Sequence, residues 1–137
     1  MLADYEVVLV SHNKLAAGIL AALNMIAGDQ ADVKAYGLMP GNTPDEEARK
    51  ISKQIDNSKK NLILADLYGG SMANAVIPLI TKPNVKLITG LNLALALQAI
   101  LEKPWTDKEI EQLISKAREN IREVKINNTN QNDDEFF

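Results

Sequence analysis

One histidine, one strand-ending aspartate and one Gly-Gly-Ser turn are the residues of this chain whose types and spacing could do chemistry. His12 is the only histidine among 137 residues. It lies in Ser11-His12-Asn13, where the β-branched apolar run Tyr5-Glu6-Val7-Val8-Leu9-Val10 stops. Asp66 ends another apolar run, Asn61-Leu62-Ile63-Leu64-Ala65, and Gly69-Gly70-Ser71 follows closely. A carboxylate beside an imidazole fixes the ring's tautomer and supports positive charge on it. The nitrogen left free is then a nucleophile. Glycines that aim backbone N–H groups into a crevice, ahead of a helix N-terminus, suit phosphate, and the Ser71 hydroxyl can donate a further hydrogen bond. Taken singly, His12 is equally a polar loop residue, Asp66 a turn former and Gly69-Gly70 a tight turn. Only their joint placement favours chemistry.

Composition narrows that chemistry. The chain has no cysteine, which excludes disulfides, thiolate zinc sites and cysteine nucleophiles. Without cysteine or a second histidine, no transition-metal site is expected, and no cofactor. Fifteen Lys and Arg against 18 Asp and Glu leave a net charge of -3, so a global footprint for nucleic acid is absent. Neither a P-loop lysine motif nor a glycine fingerprint follows the first strand, which argues against ATP and dinucleotides. With no metal set and no second base, hydrolysis lacks support. Transient acceptance of a phosphoryl group by His12 fits better. The N-terminal residues lack a basic signal-peptide start, and the longest apolar stretch, Leu91 to Leu101, is interrupted by Asn92 and Gln98. A cytoplasmic protein without membrane insertion is expected.

These residues must be positioned by alternating strands and helices. Strands are predicted over Tyr5–Val10, Val33–Leu38, Asn61–Asp66 and Val85–Thr89. Helices are predicted over Lys14–Ala27, from Thr43 to about Asp56, Met72–Ile80, Leu93–Leu101 and from Thr106 to about Asn120. Thr43-Pro44-Asp45-Glu46 and Thr106-Asp107-Lys108-Glu109 both read as capping boxes. Continuous apolar strands joined by helices imply a parallel sheet covered on both faces, an α/β sandwich of three layers. For a strand order of 2-1-3-4 the switch point lies between the first and third strands, so His12 and Asp66 are expected to face one crevice. Arg122–Ile126 alternates like a short last strand. Residues 1–126 form one domain in this reading, and 127–137 a polar tail expected to be disordered.

The order of motifs resembles the enzyme IIA domains of the mannose/fructose/sorbose class of the bacterial sugar phosphotransferase system (PTS). The carriers are Val8-Leu9-Val10-Ser11-His12, Leu15-Ala16-Ala17-Gly18-Ile19-Leu20, Met39-Pro40-Gly41, Leu64-Ala65-Asp66-Leu67-Tyr68-Gly69-Gly70-Ser71, Asn74-Ala75 and Gly90-Leu91-Asn92-Leu93. The resemblance covers roughly Val7 to Ile126. It implies that His12 accepts a phosphoryl group from the phosphocarrier HPr and passes it to enzyme IIB, with the membrane subunits IIC and IID downstream. It implies that Asp66 orients and supports the ring, while Ser71, Gly69 and Gly70 contact the phosphoryl group. Asn13, Lys14, Met39, Met72 and Ala73 would form the partner-facing rim. It further implies a homodimer in which Arg122–Ile126 crosses as an antiparallel strand to the partner's sheet, covering an exposed edge.

Three positions depart from the family pattern: Asn13 stands for a glycine, Met72-Ala73 for Pro-Phe, and Leu93-Ala94 for Leu-Pro. Asn tolerates left-handed backbone better than most residues, which favours survival of the turn. Two alternatives use the same histidine. The related phosphotransfer subunit of dihydroxyacetone kinase tends to carry a Met-Asp-Met-Gly-Ser pattern after the third strand, from which Asp66-Leu67-Tyr68-Gly69-Gly70-Ser71 differs. A regulatory IIA-like binding module would use phosphorylation of His12 as a signal rather than a relay.

Overall fold

Alternate residues of the first strand, β1 (Asp4–His12), fill two different cores. Val7 and Leu9 pack on one face of the sheet, and Val8 and Val10 on the other. Successive side chains of a strand point to opposite faces, so a one-residue slip would exchange the two sets. The computed structural model from which these contacts are taken describes residues 4–126. Strands β2 (Val33–Leu38), β3 (Lys59–Ala65) and β4 (Val85–Thr89) complete a parallel sheet of order β2-β1-β3-β4. The register pairs Val10 with Ala65 across β1 and β3, and His12 with Leu38 across β1 and β2.

The helices divide between the faces. Helices α1 (Leu15–Ala27), α4 (Leu93–Glu102) and α5 (Asp107–Glu119) bury Leu23, Leu95, Ala99 and Leu113 against Leu9, Leu62, Leu64 and Ile88. Helices α2 (Pro44–Gln54) and α3 (Ser71–Val76) bury Ile51, Met72 and Val76 against Val8, Val10 and Ile63. Each fully buried Leu or Ile contributes on the order of 1.5–3 kcal/mol, so burial on both faces fixes the sheet's orientation. Because α1 leaves β1 on one face and α3 follows β3 on the other, the chain diverges between β1 and β3. The three-layer α/β/α architecture and its strand order follow the expectation.

Local expectations hold in part. The helix expected over Met72–Ile80 begins at Ser71 and ends at Val76, then tightens into a 3-10 helix over Ile77–Thr81. Pro78 lies in that segment and supplies no N–H for α-helical bonding. At Thr106 the capping box is complete: Glu109 N–H donates to Thr106 Oγ1, and Thr106 N–H to Glu109 Oε1. At Thr43 only half of it forms, with Glu46 N–H donating to Thr43 Oγ1. Among the described residues, Arg122–Ile126, expected to cross to a partner's sheet, pairs with no strand of its own chain. Ile121 just before it and Val124 and Ile126 within it are exposed, Ile126 by 98%. The expected tail, 127–137, lies outside the described residues. Among the described residues no helix is long and apolar enough to cross a membrane.

Candidate active site

β1 extends two residues further than its apolar run, through Ser11 to His12, and Asn13 N–H still donates to Leu38 O of β2 (2.8 Å). Asn13 then turns the chain with a φ of 52°, the left-handed region that Asn accepts more readily than most residues. Ser11 is fully buried. Its Oγ accepts from Ala16 N–H (2.8 Å), standing in for a cap at the start of α1, where Lys14 supplies no side-chain bond. The same hydroxyl donates to Asn13 O (3.4 Å). His12, the last residue of β1, is thereby held at the start of a short, braced turn.

Asp66 arrives from the neighbouring strand. Its backbone N–H donates to Val10 O (3.0 Å), continuing the β1–β3 ladder by one bond. Its Oδ2 accepts both His12 Nδ1–H and His12 backbone N–H, each at 2.8 Å. The Asp66 side chain is only 9% exposed, whereas the His12 side chain is 46% exposed. Burial alone would push the Asp66 carboxyl up. The hydrogen bonds from the His12 backbone and ring, with the attraction of that ring, outweigh burial and hold it below the usual carboxylate range.

The loop beyond Asp66 closes on itself through Gly70 N–H to Leu67 O (3.0 Å), with Gly69 at a φ of 74°. That turn sets Ser71 as the first residue of α3 and brings its Oγ to 2.9 Å from His12 Nε2. An Nδ1–H given to a carboxylate leaves Nε2 as an acceptor, so the Ser71 hydroxyl donates to it. The ring is engaged at both nitrogens, one by a buried anion and the other by an exposed, exchangeable hydroxyl. Chemically this is a nucleophilic Nε2 on a ring whose positive charge would be countered at Nδ1. α3 has six residues, so its field is that of a short helix, weaker than the longer helix expected from sequence.

The structure brings His12, Asp66, Gly69, Gly70 and Ser71 together. Asn13 and Lys14 are exposed beside them, and Met39 is half-buried at the end of β2. Met72 and Ala73 do not join this rim. Both are buried in the core between α3 and the sheet, because a helix starting at Ser71 turns its second and third residues inward. Leu67 and Tyr68, the latter 86% exposed, occupy the loop that approaches the ring, and Leu15 is exposed at the start of α1. The sequence assigns Leu67 and Tyr68 no role at the site. Their signal was two large apolar side chains in a loop between a strand-ending Asp and a Gly-Gly turn, where no periodicity gives them a core.

A parallel α/β sandwich with a histidine and a carboxylate at its switch point defines a histidine-bearing protein of the open-sheet class. Within it, the chain belongs to the family described as PTS system fructose IIA component, whose model matches residues 6–118. The expected resemblance to the mannose/fructose/sorbose class is thus borne out. The chain is 26% identical over 126 residues to the PTS system mannose-specific EIIAB component of Escherichia coli (strain K12), covering 87% of this chain and 39% of that protein. It is 30% identical over 93 residues to the PTS system sorbose-specific EIIA component of Klebsiella pneumoniae, covering 66% of this chain and 68% of that protein. Among solved structures, phosphotransferase system component EIIA from Streptococcus agalactiae superposes with a TM-score of 0.80 at 26% identity, covering 87% and 96% of the two chains. The mannose/sorbose specific IIA subunit from Enterococcus faecalis gives 0.79 at 26%, covering 93% and 99%.

Proposed function

We propose that this chain is a phosphocarrier that takes a phosphoryl group onto His12 Nε2 from the phosphohistidine of HPr and passes it to a histidine of enzyme IIB. The observation that carries this reading is the engagement of the ring at both nitrogens, by Asp66 Oδ2 at 2.8 Å and by Ser71 Oγ at 2.9 Å. As the Nε2–P bond forms, the donor's N–P bond breaks and its ring leaves with the electron pair. The His12 ring keeps its Nδ1 proton and gains positive charge, which the Asp66 carboxylate counters. The Ser71 hydroxyl turns from Nε2 to a phosphoryl oxygen. In the second transfer the same electron flow runs outward to the acceptor histidine. Delivery through IIC and IID would follow, and the sugar itself would never meet this domain.

The reading also takes in a homodimer. Among the described residues β4 pairs only with β3, which leaves its outer edge open. A groove of about 380 Å³ runs beside that edge, lined by Ile88, Leu95, Ile114 and Ile121 among others. Residues 122–126 of a second copy are its proposed occupant, as an added antiparallel strand.

The deciding experiment is incubation with HPr, its activating enzyme I and phosphoenolpyruvate, followed by intact mass. One added phosphoryl group that disappears in His12→Ala is expected. No gain, or a gain that survives the substitution, would sink the reading.

A further inference from the structure

Gly37 lies inside β2, opposite Ser11 in the register of β1 and β2. A glycine within a strand weakens it and marks a place where another backbone comes close. Here that backbone is the turn after His12. A Cβ on residue 37 would sit 2.0 Å from the Asn13 carbonyl oxygen and 3.1 Å from its carbonyl carbon. The two would have to separate by about 1 Å to reach 3.0 Å, below which real Cβ atoms are essentially not found. The threatened atom is backbone, so no side-chain rotation can relieve it.

Two of the bonds that brace the turn after His12 are made by Asn13. Asn13 sits at φ 52°, with its N–H bonded to Leu38 O on the residue next to Gly37. Ser11 Oγ bonds Asn13 O and the first turn of α1 together. His12 directly precedes Asn13, and its backbone N–H and ring share Asp66 Oδ2. We propose that Gly37 is a positioning residue for the His12 site: the missing side chain on β2 lets the Asn13 carbonyl seat the turn that aims the ring between Asp66 and Ser71. Gly37 touches no reacting atom and acts only through this turn. The inference rests on the phosphocarrier reading for its kinetic consequence, but not for its geometric one.

The test is Gly37→Ala with two readouts. The protein has one histidine, so long-range ¹H–¹⁵N spectra report a single imidazole and its tautomer directly. Loss of the wild-type Nδ1–H signature is expected. The rate of phosphorylation at saturating phospho-HPr should fall about ten- to hundredfold, with the half-saturating concentration little changed, as an ångström-scale misplacement of a reacting group predicts. Gly18→Ala, the same change on α1 with nothing within 4 Å, should leave both readouts as in wild type. Asn13→Gly frees that peptide to rotate its carbonyl away from residue 37, so adding it to Gly37→Ala should recover at least part of what Gly37→Ala loses, folding included. Wild-type tautomer and rate in Gly37→Ala would overturn the proposal, and so would a defect, unfolding among them, that Asn13→Gly does not relieve. If the wild-type chain takes no phosphoryl group, the phosphocarrier reading fails while the tautomer signature still decides the role of Gly37.

Discussion

A single oxygen of Asp66, Oδ2, receives both the backbone N–H and the ring Nδ1–H of His12 at 2.8 Å each. One carboxylate therefore fixes where His12 sits and which of its nitrogens is free. The other oxygen, Oδ1, is buried without a hydrogen-bond partner among the described residues, so the carboxylate's recognition of the ring falls on one atom.

Substituting Asp66 should separate charge from geometry. Asp66→Asn keeps an acceptor for the ring but removes the negative charge, and Asp66→Ala removes both. Hydrogen bonds to charged groups are worth about 1.5–3 kcal/mol, so phosphorylation should slow by roughly ten- to hundredfold in Asp66→Ala, with Asp66→Asn between it and wild type. Far-ultraviolet circular dichroism should stay native in both. Unchanged transfer kinetics, followed by intact mass over time, would make Asp66 a strand cap and nothing more.

Acid stability carries the same signature. His12 holds the Asp66 carboxyl below its ordinary range in the folded chain, so the unfolded chain binds that proton more readily. The stability this confers is full above the unfolded value, about 3.9, and is lost as pH falls through the folded value. Thermal melts of wild type and Asp66→Asn should therefore converge as pH drops below about 4. A gap that widens on acidification contradicts this.

Ser71 occupies Nε2 in the resting chain and would follow the phosphoryl group once it arrives. Ser71→Ala should shorten the lifetime of the phosphorylated form by roughly two- to tenfold, the worth of one hydrogen bond. Ser71→Thr, which keeps the hydroxyl, should restore it. Equal lifetimes for all three proteins would show that the hydroxyl serves the unphosphorylated ring alone.

The open edge of β4 predicts an oligomer. Sedimentation at micromolar concentration should give a dimer, and a chain ending at Asn120 should give a monomer. A monomeric full chain would remove the crossed-strand reading, and a dimeric truncated chain would move the interface elsewhere.

How much was legible in advance varies by element. The strand order and the convergence of His12 with Asp66 could be read because uninterrupted apolar strands joined by helices leave few topologies. The placement of Met72 and Ala73 could not. Which face of a short helix turns inward depends on where its first turn begins, and that is set by the Gly69-Gly70 turn closing on Leu67. The exposure of Leu67 and Tyr68 escaped for a similar reason, since apolar residues in loops carry no periodicity.

By itself, then, the sequence determined the layered α/β class, the restriction of chemistry to one imidazole, and the company of a carboxylate and an anion-suited turn. Those follow from composition and from the two periodicities of strand and helix, which are local properties. Tertiary structure alone decided that Asp66 spends one oxygen on two His12 donors, that Ser71 meets Nε2, and that the Asn13 carbonyl fills the space above Gly37. Those are ångström-scale distances between residues as many as 59 positions apart, set by how β1, β2 and β3 pair rather than by any residue's own preference.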